Sequence, residues 1–490
     1  MPQPTYTELV DVVVAMRSEL DSLRAENTAL KSAEITALNN KVVALEAENA
    51  ALKLRVAELE AQLRTSSKNS SKPPSTDGLG KPAPKSLRRP SGRKPGGQSG
   101  HRGQTLEQVA DPDEVIVHEP VACTGCGADL TDAEVTGRTV RQVFDIPPVK
   151  VHVTEHRTVT RRCGCGQSTC GDTPAAVKAP VQYGPTMRAV IIYLYMGQFL
   201  SKKRTAQAIS ELFDIPLSHG TVGAVTARAA TDLTECLAQI TEHMKAAPVV
   251  NFDETGLRAA GRLTWLHSAS TRRYSLLFAH RRRGTVAMND MGILPDYAGT
   301  AVHDAWAPYD TYTGAAHSLC NAHVLRELQA VTDHHQAENN TDSWCWADQI
   351  AFALLSLHRA AAKTPGQPVD PDILATQRHI IRSAVILATH PEGKLGKKHR
   401  ALARRINRRI DDYLKFATDP NVPFTNNAAE QEIRMAKIRQ KISGTMRTLT
   451  GAQHFAALRS YLQTTHKHDI PALAALTALT SGNPWLPNPT

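Results

Sequence analysis

Residues 247–256 read APVVNFDETG, and how that stretch ends decides the class of fold. Pro248 excludes a helix interior, Val249 and Val250 favour a strand, and the apolar run stops at Asp253-Glu254 ahead of Gly256, a strand breaker. A carboxylate at a strand end is a candidate metal ligand. Its plainer reading is a strand leaving the core and meeting water, and the flanking sequence bears on which holds.

Working downstream, TWLHSAS at 264–270 and YSLLFAH at 274–280 are strand-like and joined by Thr271-Arg272-Arg273. TAVH at 300–303 is a third such run, and it leads into Asp304, a second carboxylate at a strand end. HSLCNAHVLREL at 317–328 reads as strand into helix, with His323, Arg326 and Glu327 sharing one helical face. Cys320 and His323 are open to two readings, as metal ligands or as a core thiol beside a supporting histidine. Residues 333–419 pattern as mostly helical. Leu402, Ile406, Ile410 and Leu414 form an apolar stripe, with Arg404, Arg405, Arg408 and Arg409 as a basic flank that is either solvated or DNA-facing. Asn427 then suits a helix N-cap and puts Glu430 of AAEQEIRMAKIRQ at the third helical position, where a capping-box acid is its plain reading.

Working upstream, Leu38, Leu45, Leu52 and Leu59 recur every seven residues, with Val42, Asn49, Val56 and Leu63 four residues after each. Leu9, Met16, Leu23 and Leu30 form a matching seam with Val13, Leu20 and Asn27, and the registers join through a slip between Leu30 and Ile35. This is coiled-coil grammar, and Asn27 and Asn49 at a positions favour a two-stranded parallel pairing. From Arg64 to Gln104 the chain is rich in Ser, Pro and Gly, has Asp77 as its only acid, and holds Lys and Arg through to Arg102. Such a stretch is a flexible basic linker, suited to phosphate contacts or to simple tethering.

Cys123-Thr-Gly-Cys126-Gly and Cys163-Gly-Cys165-Gly follow, separated by VRQVFDI and VKVHVTEHRTV, which look strand-rich. Two cysteine pairs, each trailed by a glycine, suggest a closed, structural four-thiolate zinc site. The second pair is tightly spaced, so Cys170, His152 or His156 are alternatives for one of its members. In the next segment RTAQAISELF at 204–213, a break at Asp214-Ile-Pro216, and a capping Ser218 ahead of a second helix have the form of a helix-turn-helix, or of any helical hairpin.

At 490 residues the chain has room for several domains, and 41% hydrophobic content is ordinary for a globular protein. A net charge of +10 and a pI near 9.2 point to a polyanionic partner. The start lacks the basic region of a secretory signal, and the most apolar run, 190–200, is too short to span a bilayer. A soluble cytoplasmic protein with no membrane partner is expected, in which eight cysteines are better explained by metal than by disulfides.

Taken together, the N-terminal zipper, NSSKPPSTDG, GRKPGGQSGHRG, the paired cysteines, VVNFDETG, VHDAWAPYDTY, HSLCNAHVLREL and TNNAAEQEIRMAKIRQKISG resemble the transposases of the insertion sequence 66 family over nearly the whole chain. The resemblance implies a ribonuclease H-like catalytic domain whose Asp-Asp-Glu triad carries over to Asp253, Asp304 and Glu430. The expected architecture is multidomain α+β. A coiled coil at 1–64 and a basic linker at 65–104 precede a zinc-binding, β-rich domain at 105–180 and a helix-turn-helix-like region at 181–245. The catalytic core spans 246–332 and 421–470, interrupted by a helical insertion at 333–420 and followed by a tail at 471–490.

The chemistry this implies is phosphodiester cleavage at transposon ends, followed by strand transfer into target DNA. Two Mg²⁺ or Mn²⁺ ions on the three carboxylates suit that chemistry, because hard oxygen ligands select hard cations. His323, Arg326 and Arg434 are expected beside the site or on DNA, Arg434 pairing with Glu430 or meeting a phosphate. Glu432, two residues from Glu430 and so roughly 200° away around a helix, is expected to face elsewhere. Expected partners are double-stranded DNA and a second copy of the chain. The competing readings are an inactive, DNA-binding repressor derived from a transposase and a zinc-containing coiled-coil scaffold. Cleavage activity separates the first from an enzyme, and salt-sensitive DNA binding disposes of the second.

Overall fold

The computed structural model describes residues 5–64, 106–147, 149–339, 344–389 and 397–487, so the basic stretch 65–104 lies outside the described residues. The chain divides into two compact units, one of residues 1–81 and 320–420, the other of residues 82–319 and 421–490.

In the second unit, β1 (Thr160–Arg162) and β2 (Ser168–Cys170) make a small antiparallel hairpin. Four helices follow: α2 (Pro185–Ile192), α3 (Lys202–Phe213), α4 (His219–Thr231) and α5 (Thr234–Lys245). The central sheet takes β3 (Val249–Ala259), β4 (Arg262–Ser270), β5 (Ser275–His280), β6 (Thr300–His303) and β7 (Ala316–Leu319) in the order β5-β4-β3-β6-β7. The first three form an antiparallel meander, whereas β6 and β7 run parallel to β3. A parallel return needs a crossover, and α6 (Thr285–Met291) lies on the connection from β5 to β6.

Gly256 does not stop β3, which is a correction to the sequence reading. The strand runs on to Ala259, because β4 keeps pairing with it through Ala259↔Arg262. A Cβ at Gly256 would lie 3.1 Å from Leu263 Cδ1, so glycine serves close cross-strand packing there. The two-residue turn that closes this hairpin, Ala260-Gly261, has positive φ at both positions (53° and 72°), which matches the twist of the flanking strands.

The helical layer over the sheet shows how the core closes. Phe252, Leu266, Ile240, Met244, Phe455 and Tyr461 are fully buried in one cluster. After the second unit's chain resumes, α13 (Asn427–Ser443), α14 (Leu449–Lys467) and α15 (Ala472–Thr480) complete it. β5 is an edge strand, and α14 satisfies it with side chains. Ser275 N donates to Thr464 Oγ1 (3.0 Å) and Leu277 N to Ser460 Oγ (2.8 Å), so the exposed ladder groups of the edge are covered. The residues expected as a tail instead include α15, joined to α2 by Thr480 Oγ1 to Pro185 O and Arg188 Nη2 to Thr480 O, both 2.8 Å.

The helical hairpin forms as the capping residues suggest, with Ser201 accepting from Arg204 N and Ser218 from Thr221 N. The cysteine segment differs from expectation. Apart from β1, β2 and an Ala122–Asp129 bridge, it has no strand among the described residues, and VRQVFDI and VKVHVTEHRTV form no strand of their own. Val143 and Val153 are 92% and 83% exposed, so no apolar face drives pairing, and Gln142 clasps the Val109 backbone through its side-chain amide instead.

In the first unit, α1 (Tyr6–Arg64) is one continuous helix on which Leu9, Met16, Leu23, Leu30, Leu38, Leu45 and Leu52 are exposed. Its remaining helices are α7 (Asn321–Asn339), α8 (Trp346–Lys363), α9 (Pro371–Thr389), α10 (Lys397–Arg408), α11 (Ile410–Tyr413) and α12 (Lys415–Thr418). α7 therefore belongs with the helical unit, whereas the sequence reading assigned residues up to 332 to the core. The apolar stripe expected on one helix is split at Arg409 over α10 to α12, yet Ile406, Ile410 and Leu414 are all buried. Arg405 pairs with Glu327, and Asn321 Nδ2 donates to Tyr413 O at 3.0 Å.

Candidate active site

β3 pairs with β6 only from Val249 to Asn251, so Asp253 lies just past the point where the parallel strands part. Asp304 follows the last residue of β6 at the same end of the sheet. Alternation along β3 puts Asn251 and Asp253 on one face of the sheet and Glu254 on the other. α13 packs on the Asp253 face. Its placement depends on Asn426, which is fully buried, accepts from Asn251 Nδ2 (2.9 Å) and donates to Phe252 O (2.7 Å). Glu430 N donates to Asn426 O (3.2 Å), so Glu430 rides one helical turn beyond that anchor.

These contacts correct the capping expectation. The N-cap is Asn426, not Asn427, and its amide is committed to β3 and not to the first turn, so no capping box forms around Glu430. Asn251 and Asn426 went unforeseen. Their signal was the polar residue one alternation before Asp253 and the doubled asparagine ahead of the helix.

Asp304 and Glu430 both act on the Asp253 carboxyl through their charge. Burial first, and then the charges of Glu254, Asp304 and Glu430, hold the Asp253 carboxyl well above the usual carboxylate range. Mutually repelling carboxylates from β3, the turn after β6 and α13 form a donor set that fits a hard divalent cation, which would relieve the repulsion and supply countercharge. Glu432 points elsewhere, as expected. It is buried, and its Oε1 accepts from Ser275 Oγ (2.6 Å) and Lys467 Nζ (3.0 Å). Arg434 is exposed on α13. His323 and Arg326 lie on α7 in the other unit, where Arg326 Nε donates to Ala322 O. Sequence reasoning also gave Glu254 no role. Its carboxylate receives Arg283 and Tyr309, and nothing in the spacing of residues 283 and 309 announces that contact.

The cysteines form two separate knuckles of similar build. Gly127 N donates to Cys123 O and Gly166 N to Cys163 O, both at 2.9 Å, and Gly127 and Gly166 take the positive φ (77° and 92°) that each turn requires. The Cys126 backbone N–H, then that of Gly125, lowers the Cys123 thiol pKa, and the Cys165 N–H does the same for Cys163. Backbone donors that favour the thiolate form suit a zinc ligand. Among the described residues no metal-sized cluster of three or more ligands includes any of the four.

Among the described residues no helix is long and apolar enough to cross a membrane. Comparison with known proteins adds three family matches. Residues 120–166 match the zinc-finger binding domain of transposase IS66, which supports a structural zinc in that segment. Residues 22–107 match a family of unknown function. No curated protein matches the chain. Among solved structures it is similar to the Drosophila P element transposase strand transfer complex, at 11% identity and a TM-score of 0.23, over 62% of this chain and 92% of that one. The third family match covers residues 180–454, over half the chain, with the model of the transposase IS66 family, and the chain belongs to that family.

Proposed function

We propose that the protein cleaves DNA at the ends of an insertion sequence and joins the freed ends to target DNA, using Asp253, Asp304 and Glu430 as its triad. The observation that carries this reading is that the half-buried Asp253 carboxyl feels the charges of both Asp304, at the same end of the sheet, and Glu430, on the helix that Asn426 seats on β3. The order β5-β4-β3-β6-β7, with an antiparallel meander beside two parallel strands, supports this reading, since it fits the ribonuclease H-like sheet that the reading expects.

The triad would hold two Mg²⁺ or Mn²⁺ ions, which would supply Lewis acidity for an in-line phosphodiester displacement. The chain's own part is to fix the carboxylates beforehand. β3 and β6 deliver two of them from paired strands, and Asn426 seats the helix that carries the third. In the first step water attacks the phosphodiester and releases a 3′-hydroxyl. In the second that hydroxyl attacks a target phosphodiester and displaces its 3′-oxygen, so no covalent protein intermediate is needed.

DNA engagement falls to the exposed basic positions, Arg434 among them, and to the basic linker. The leucine seam of α1, exposed among the described residues, suits pairing with a second copy in a coiled coil, the usual fate of a heptad helix with a bare apolar stripe. A bacterial cytoplasmic setting near the nucleoid follows from the DNA substrate. The test is incubation of the full-length protein with labelled ends of the parent element and Mg²⁺, with strand mapping. Nicks that leave 3′-hydroxyls at the element's ends support the reading, and intact ends at saturating protein count against it.

A further inference from the structure

We infer that Glu254 is a positioning residue which, through Tyr309 and Arg283, sets the turn that presents Asp304. The inference rests on the reading of Asp304 as a metal-holding acid. Glu254 neighbours Asp253 in sequence but projects from the opposite face of β3, and its side chain is 1% exposed. Both of its oxygens are engaged. Oε1 accepts from Arg283 Nε (2.9 Å) and Nη2 (2.6 Å), and Oε2 accepts from the Tyr309 hydroxyl (2.8 Å).

Each partner then touches a residue flanking Asp304. Tyr309 stacks on His303, with ring centroids 4.4 Å apart and planes inclined by 23°. The Arg283 guanidinium lies 3.8 Å from the centre of the Trp306 ring, and Trp306 N donates to Asp304 Oδ1 at 2.9 Å. Between these anchors Ala305 holds a left-handed φ of 71°, unfavourable for a residue with a Cβ. The His303 ring secures it by accepting from Ala305 N through Nδ1 (3.2 Å). With Nδ1 as acceptor, the neutral ring carries its proton on Nε2 and donates to His317 Nδ1 at 3.1 Å. A strained turn persists only where its surroundings over-determine it, and here the surroundings converge on one buried carboxylate.

The test is Mn²⁺ binding by the full-length protein, followed by electron paramagnetic resonance of the free ion, beside the Mg²⁺ concentration for half-maximal end cleavage. Asp304→Asn serves as the reference for loss of a ligand. Glu254→Gln is expected to weaken Mn²⁺ binding about 10-fold, the scale seen when groups that orient metal ligands are removed, with cleavage recovering at higher Mg²⁺. Tyr309→Phe keeps the stack on His303 and deletes one hydrogen bond, and Arg283→Lys keeps the charge and loses the fork. Both should shift the same two readouts in the same direction, by less. Should Glu254→Gln fail to fold by circular dichroism, these two variants carry the test. Unchanged Mn²⁺ affinity and Mg²⁺ dependence in Tyr309→Phe and Arg283→Lys would overturn the inference. So would a Glu254→Gln protein that folds but resembles Asp304→Asn and does not recover at high metal, since Glu254 would then be a ligand. Wild-type Mn²⁺ binding by Asp304→Asn would remove the triad reading and this inference together.

Discussion

The sheet and the cysteine segment both present candidate metal ligands, and they are organised in opposite ways. Around Asp253 the protein does the arranging. Asn426, Arg283 and Tyr309 fasten α13, β3 and the turn after β6 to one another within a packed core. Around Cys123 and Cys163 each knuckle is locally well formed, but the chain between them is exposed and has almost no ladder or apolar core. A site fixed by a core can tolerate losing its metal and holds ligands under repulsion that metal relieves. A segment without a core draws its organisation from the metal, so metal binding and folding are one event there.

That contrast predicts its largest effect at the cysteines. Cys123→Ser should abolish binding of about one structural zinc per chain, and limited proteolysis should then cut within residues 106–180 while the sheet's unfolding transition stays in place. Retained zinc, or loss of both regions together, would erase the distinction. Within the core the next effect belongs to Glu432→Gln. It removes the charge facing Lys467 in a buried pair, and should lower stability by about 2–3 kcal/mol in denaturant titration without changing cleavage by the protein that remains folded. The smallest effect concerns pH. Because Asp253 titrates above its ordinary value of 3.8 in the folded state, the folded protein binds that proton more tightly than the unfolded chain does. Its stabilising contribution is complete below the ordinary value and fades as pH rises through the raised one. Metal-free protein should therefore lose thermal stability across that window, and Mg²⁺ should flatten the slope. A slope unaltered by both Mg²⁺ and Asp253→Asn would place its origin elsewhere.

Much of the sheet was legible because its strands are marked by β-branched and apolar runs with turn residues between them. TWLHSAS, YSLLFAH, TAVH and the start of HSLCNAHVLREL all appear as strands in their expected places. The readings that failed depended on partners a local pattern cannot show. Gly256 looks like a stop until β4 is seen to continue pairing beside it. VRQVFDI and VKVHVTEHRTV have the composition of strands, and lack a face to bury. Asn427 is a sound cap in isolation, whereas the helix begins where Asn426 can reach β3. Glu254 shares a dipeptide with Asp253, but only alternation and the distant Arg283 and Tyr309 separate their surroundings.

The central claim is that Glu430, and not its buried neighbour Glu432, completes the triad with Asp253 and Asp304. The direct measurement is end cleavage by Glu430→Gln and Glu432→Gln, each checked for folding and for binding to the element's ends. The account predicts that Glu430→Gln folds, binds the ends and does not cleave, while Glu432→Gln is less stable but cleaves. A Glu430→Gln protein that cleaves the ends at the wild-type rate would contradict it.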